Sequence, residues 1–286
     1  MPGGSGGLAH ALTEPRASAI RWADLRQRVI SAAILGPLAL LCVWFGGTAF
    51  VLLIGIGAVG IVFEWVAMSG HAPGEPAAIA VAAGVVAAMA ACVDAHPLAG
   101  LLALAVFAAL SFALVRAAGR SGILAVGVPY VGIAAVALLW LRDDPVAGRA
   151  DILFLVLTVW AGDIGAYLVG RWIGGPKLAP RISPGKTWSG AAGGLIGGCL
   201  CGLVVAHLFS APATEWRVIG VAALLGVVAQ GGDLLESLIK RRFGVKDSGR
   251  TIPGHGGLLD RLDGLLTAGP VAALLALAVG RGVVLW

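Results

Sequence analysis

Charge is scarce in this chain. Lys, Arg, Asp and Glu together make up 12% of its 286 residues, about half the ~25% usual in a soluble domain. Cysteine is scarce too, and all four, Cys42, Cys92, Cys199 and Cys201, lie inside apolar runs. Cys199 and Cys201 are two apart, so on a helix they point about 200° from each other and cannot pinch one metal. A disulfide framework and a zinc site are thereby excluded, and the four read as small core residues. The chain also lacks an internal repeat. In place of charge it carries 59% apolar residues and 44 glycines, together roughly 74% of the chain, against ~45–50% in an ordinary domain. A disordered chain and a water-soluble globule are both excluded. The composition is that of an all-α polytopic membrane protein.

A spanning helix needs about 20 mostly apolar residues. Nine segments meet that demand, at about 29–46, 48–68, 77–93, 98–115, 121–141, 151–171, 190–210, 217–239 and 265–285. Only Gly46 and Gly47 separate the first two. No small-residue cleavage site closes the first run, so it reads as a retained helix and not a removed signal peptide. With the N-terminus in the cytoplasm, sixteen basic residues fall on that side, and only Arg142, Arg149, Arg217 and Arg281 fall outside. That split obeys the positive-inside rule and puts the C-terminus on the opposite side. Trp140, Trp172, Trp188, Trp216 and Trp286 all fall near span ends, where interfacial aromatic anchors sit.

Three regions follow. Residues 1–28 form a basic cytoplasmic arm with Arg16, Arg21, Arg26 and Arg28. Residues 29–141 hold five spans for packing or assembly, with Glu64 the one acid inside them. Residues 151–286 hold four spans and two cytoplasmic loops, 172–189 and 240–264, and read as the catalytic part. Gly190, Gly194 and Gly198, with Gly193 and Gly197, mark the seventh span for close helix packing. The net charge of +5 suits anionic headgroups or a phosphorylated substrate better than nucleic acid in a chain of this composition.

Acids inside spans are costly and usually functional. Asp163 lies about 12 Å and Asp233 about 10 Å from the cytoplasmic ends of their helices at 1.5 Å per residue. Matching depth allows both to face one cavity. Glu236, one turn beyond Asp233, either joins them or snorkels to the interface. Asp260 and Asp263 are three apart at the start of the ninth span and share one helical face. Paired carboxylates beside a cation-rich loop suit a hard divalent cation such as Mg²⁺, and flanking glycines let backbone N–H groups approach phosphate. A basic cytoplasmic loop follows from topology alone, which accounts for the lysines and arginines but not for the spaced carboxylates or for His255 between glycines. The other loop carries Ser183, Lys186 and Thr187 straight into a helix N-terminus, an arrangement that binds anions. His207 reads as packing. His71, His96, Asp143 and Asp144 read as solvated loop residues.

The run Ser237-x-x-Lys240-Arg241-x₄-Lys246-Asp247-x-Gly249-x₂-Ile252-Pro253-x-His255-Gly256-Gly257-x₂-Asp260-Arg261-x-Asp263 resembles the signature of the phosphatidate cytidylyltransferases. Leu25-Arg26-Gln27-Arg28-Val29-Ile30, Asp163-x-Gly165-Ala166-Tyr167 and Lys177–Trp188 resemble further segments of that family. Ser189 departs from its pattern, where a glutamate is expected. The resemblance implies an integral membrane enzyme, in a bacterial inner membrane with its site facing the cytoplasm. It would convert CTP and phosphatidic acid to CDP-diacylglycerol and pyrophosphate with one or two divalent cations, Mg²⁺ foremost and a monovalent cation beside them. It maps Asp233, Asp260 and Asp263 onto metal-binding acids, and Asp163 is expected beside them to shape the site or ligate the metal. Lys240, Lys246 and His255 complete the expected catalytic set. Ser183, Lys186, Thr187, Ser237, Arg241, Asp247 and Arg261 are the expected substrate contacts. Besides membrane lipids as partners, a homodimer stays open. The competing readings are a CTP-dependent lipid-alcohol kinase and, from another class, a transporter.

Overall fold

The computed structural model describes residues 14–94, 96–209, 214–249, 251 and 256–286, with side chains from residue 30 onward. His255 and residues 1–13 therefore lie outside the described residues. Among the described residues nine α-helices follow one another: α1 (Glu14–Phe45), α2 (Gly47–Met68), α3 (Pro76–Val93), α4 (Pro97–Ala117), α5 (Gly127–Arg142), α6 (Gly148–Ile173), α7 (Trp188–Leu208), α8 (Glu215–Arg242) and α9 (Leu259–Val279). Eight segments among the described residues are long and apolar enough to cross a membrane, and α1 contributes a shorter apolar stretch, Ile30–Phe45. The all-α polytopic expectation holds, and each of the nine expected spans has its helix.

The boundaries differ where local chemistry overrides hydropathy. The second half of the basic arm is no separate element: α1 begins at Glu14 and runs through it. Gly46 and Gly47 both take positive φ, 68° and 51°, a conformation that turns the chain between α1 and α2. The fifth span opens with a 3₁₀ turn, Gly122–Val126. The 172–189 loop is a hairpin in which β1 (Lys177–Ala179) pairs antiparallel with β2 (Ser183–Thr187). α8 carries Lys240, Arg241 and Arg242 as its last turn, so the second loop is shorter than hydropathy suggested.

A further shift is at the C-terminus. α9 starts about six residues early and stops at Gly280 (φ 94°), because the first turn is polar but helical. The remaining tail folds back: Gly282 N–H donates to Asp144 Oδ2 at 2.6 Å and Leu285 N–H to Asp151 Oδ1 at 3.0 Å. Trp286 is 1% exposed and stacks on Phe154 with ring centroids 4.4 Å apart; it is a core residue and not an interfacial anchor. Trp172, Trp188 and Trp216 are exposed, as anchors should be. Asp144 and His71 are also buried and paired, His71 with Glu75 at 2.6 Å, which corrects their reading as solvated.

Between α6 and α7 the small residues do what their spacing suggested. A methyl group added at Gly194 would come within 2.8 Å of the Gly162 carbonyl, and one at Gly190 within 2.9 Å of the Ala166 carbonyl. Lipid gives helices no hydrophobic reason to pair, so this close backbone approach is what holds α7 to α6. In the other half, fully buried Trp65 of α2 donates its indole N–H to the Leu124 carbonyl at 3.0 Å. Its ring also meets Phe243 edge-on at 5.9 Å, just past the end of α8. The N-terminal helices thus reach the elements that carry the acids.

Candidate active site

Positions 233, 236, 237 and 240 recur at helical spacing, so α8 presents Asp233, Glu236, Ser237 and Lys240 along one face. α9 lies against that face because Gly232 leaves room for it: a methyl there would strike Thr267 and approach the Asp263 carbonyl to 2.9 Å. Thr267 Oγ1 donates across the gap to the Val228 carbonyl at 3.2 Å. The approach brings Asp233, Glu236 and Asp263 together, each offering a carboxylate oxygen within 4.8 Å of the others.

Two lysines make three ion pairs around this trio. Lys186, on β2, reaches Asp233 Oδ2 at 2.5 Å, tying the hairpin to α8. Lys240 Nζ lies 2.7 Å from Glu236 Oε2 and 2.7 Å from Asp260 Oδ1. Glu236 is 1% exposed, and its other oxygen, Oε1, is buried with no hydrogen-bond partner among the described residues. An ionised oxygen in that state is expensive. Three carboxylates converging on one point, one of them with an unsatisfied buried oxygen, form the hard-oxygen donor set that a divalent cation takes. The residues present therefore fit a divalent metal.

Asp260 lies beside Glu236, with which it shares Lys240. Its oxygens accept from Lys240 and from the N–H groups of Ser248 (3.1 Å to Oδ2) and Gly257 (3.0 Å), so it holds the loop onto α8. Asp163, on α6, is outside the trio, within electrostatic reach of Asp233, Asp263 and Lys186. Thr187 is buried and N-caps α7, accepting from Gly190 N–H at 3.1 Å. Ser189 donates to the Gly174 carbonyl, a structural contact where the resemblance led one to expect an acid. Arg241 Nε donates to the Ile182 carbonyl at 3.4 Å, bridging α8 to the hairpin turn. Lys246, Asp247 and Arg261 are exposed beside the site, Ser183 is half-buried on β2, and Ser237 is buried on α8.

Three residues escaped the sequence reading in whole or part. The sequence allows Glu236 two roles, and its burial beside Asp233 and Asp263 favours the cluster. Tyr130, on α5, has a buried hydroxyl without a hydrogen-bond partner among the described residues and lies within electrostatic reach of all three acids. Nothing in its apolar sequence neighbourhood marks it. Glu64, in α2, accepts from Ser248 Oγ, Thr251 Oγ1 and the N–H groups of Leu258 and Leu259; a lone acid in an apolar run was its only signal.

The family model described as the cytidylyltransferase family matches residues 26–279. The chain belongs to that family. Among similar proteins, the phosphatidate cytidylyltransferase of Brucella suis biovar 1 (strain 1330) is 43% identical over 259 residues, covering 89% of this chain and 93% of the relative. The phosphatidate cytidylyltransferase of Pseudomonas aeruginosa is 39% identical over 271 residues, covering 90% and 99%. That of Staphylococcus saprophyticus is 42% identical over 152 residues, 53% of this chain and 57% of its own. Within this family membership, the acids of α8 and α9 and the lysines beside them belong to one stretch of chain from β2 to α9, all of it inside the matched residues.

Proposed function

We propose that this protein transfers the cytidylyl group of CTP to phosphatidic acid, releasing pyrophosphate and forming CDP-diacylglycerol. The observation that carries this reading is the Asp233–Glu236–Asp263 cluster, with its unsatisfied Glu236 oxygen, flanked by Lys186 and Lys240. A phosphate oxygen of phosphatidic acid attacks the α-phosphorus of CTP. A new P–O bond forms there, and the bond to the β-phosphate bridging oxygen breaks in line. A phosphomonoester has its second pKa near 6, so the attacking oxygen is largely ionised at pH 7 and the protein need not take a proton from it.

The difficulty is electrostatic: a lipid dianion must approach a triphosphate. A divalent cation held by Asp233, Glu236 and Asp263, Mg²⁺ by its hardness, supplies positive charge to the phosphates when bound. The chain's own cations do the rest. Lys186 and Lys246 neutralise phosphate oxygens, and Arg241 and Arg261 add charge at the rim. Lys240 holds Glu236 and Asp260 in place through its two ion pairs, and Asp163 shapes the same region from α6. The excess of Lys and Arg in the loops that carry these groups supports a site on the cytoplasmic side of an inner membrane under the positive-inside rule. There CTP arrives from water and the lipid from the adjacent leaflet.

The test uses purified protein with phosphatidic acid, Mg²⁺ and CTP labelled separately at the α and γ phosphates. Lipid labelled from the α position, with γ label in pyrophosphate, is the expected result. Lipid labelled from γ would make the protein a kinase and overturn the proposal.

A further inference from the structure

The carboxylate of Glu64 is 5% exposed and sits in α2, in the half of the chain whose apolar spans carry no other acid. Four donors converge on it, all from one stretch of chain near α9. Oε1 accepts from Leu258 N–H at 2.8 Å and from the Thr251 hydroxyl, and Oε2 accepts from Leu259 N–H at 2.9 Å and Ser248 Oγ at 2.9 Å. The first N–H groups of a helix have no partner within the helix and need an outside acceptor. Leu258, the residue at the N-cap of α9, offers no side-chain acceptor. Glu64 fills that role from 194 residues away, and its negative charge suits the positive end of the α9 dipole.

The glycines of the loop are fitted to the same carboxylate. A methyl group at Gly249 would lie 3.0 Å from Glu64 Cγ, and one at Gly257 would lie 2.6 Å from Oε2 and collide with Ser248 Oγ. Two glycines of the signature run are thus explained by the approach of Glu64. The turn that Glu64 anchors carries Asp260, bound to Lys240, and Asp263 one turn further on.

We infer that Glu64 is a positioning residue for the transfer: it sets Ser248, Thr251 and the first turn of α9, and through them aims Asp263 at Asp233 and Glu236. This rests on the activity proposed above. It also gives the N-terminal helices a part in the site beyond packing. Bidentate acceptance from two successive backbone N–H groups requires two acceptor oxygens. Gln, the same size, must turn its NH₂ toward one of those donors, so Glu64→Gln disrupts the contact without opening a cavity.

The experiment uses the full-length protein in detergent and compares Glu64→Gln with the parent by steady-state kinetics and by hydrogen exchange over residues 256–262. The expected result is a kcat about 100-fold lower, the cost of a small misplacement at a reacting centre, with KM for phosphatidic acid within about threefold of the parent. Exchange at Leu258 and Leu259 rises in the variant, and the α3 and α6 peptides exchange as in the parent. A kcat within about threefold of the parent, or a loss of kcat with exchange at 258–262 unchanged, overturns the inference. Should Glu64→Gln fail to fold, the double variant Ser248→Ala/Thr251→Ala removes two donors and leaves the backbone pair. It is expected to lose about tenfold in kcat, and parental kcat there also overturns the inference. An inactive parent would instead sink the activity reading, and the exchange result alone would then decide whether Glu64 sets the turn.

Discussion

Two groups of carboxylates sit at opposite ends of α9, and they are built on opposite principles. Past its C-terminus, Asp144 accepts from the N–H groups of Val146 and Ala147 at 2.9 Å and of Gly282 at 2.6 Å, and Arg281 stands 3.7 Å away. Burial pushes the Asp144 carboxyl up, but these donors and Arg281 outweigh it and hold it below the usual carboxylate range. Asp151 likewise takes the Leu285 N–H. This group clasps the tail to the α5–α6 corner. At the N-terminal end, Asp233, Glu236 and Asp263 crowd together with an oxygen left over. A satisfied cluster stabilises; an unsatisfied one is poised to take something from outside. In sequence Asp144 looks like a loop residue and Asp233 like an acid within a span, but only partner geometry shows which group is satisfied.

The sharpest way to break the contrast is at Asp263. Asp263→Asn should lower kcat/KM by about 1,000-fold or more, the scale of a lost electrostatic clamp, and leave Tm unchanged or higher because one of three crowded charges is gone. Retained activity would end the distinction. Lys240→Met comes next. It strands Glu236 and Asp260 without their cation, and losing one partner of a buried pair costs about 3–5 kcal/mol, so both activity and Tm should fall. A drop in activity alone would mean that Lys240 acts only on substrate. At the other end, Asp151→Ala should cost about 1–3 kcal/mol by orphaning the Leu285 N–H, lowering Tm with kcat within about twofold. A large kcat loss there would show that the clasp is no mere fastening.

The smallest effect concerns Glu75, outside the helices, where the Ala72 N–H, His71 and Arg120 hold the carboxyl down to about 2. A depressed carboxyl stabilises the fold above its unfolded pKa and loses that contribution as pH falls through the folded value. The Tm gap between parent and Glu75→Gln should therefore be full above about pH 5 and narrowed by about half near pH 3. A gap that does not change with pH would remove Glu75 from the network.

Much of the fold was legible because spans announce themselves by length and hydropathy: α2 through α8 fall within a few residues of where apolar runs place them. The ends were less legible. α9 begins in a polar turn, Leu259-Asp260-Arg261, that hydropathy excludes but helical hydrogen bonding accepts, and the tail is held by Asp144, which the sequence presents as a loop residue, and by Asp151, at the very start of a span. Within the site, Asp233 and Asp263 were readable as acids at helical spacing near a basic loop. Asp260 was readable as a member of the signature but not as the residue that holds the loop. Glu64 and Tyr130 were hidden because their partners lie far along the chain, and pattern along one helix carries no record of a contact with another.

The central claim is that the unsatisfied acids of α8 and α9, and not the satisfied ones at the far end, take a divalent cation. The direct measurement is Mn²⁺ binding to purified protein by electron paramagnetic resonance, for the parent, for Asp233→Asn/Glu236→Gln/Asp263→Asn and for Asp144→Asn/Asp151→Asn. The account predicts that the first triple variant loses the bound Mn²⁺ and that the double variant keeps it. Parental binding in the triple variant, or loss in the double, would contradict it.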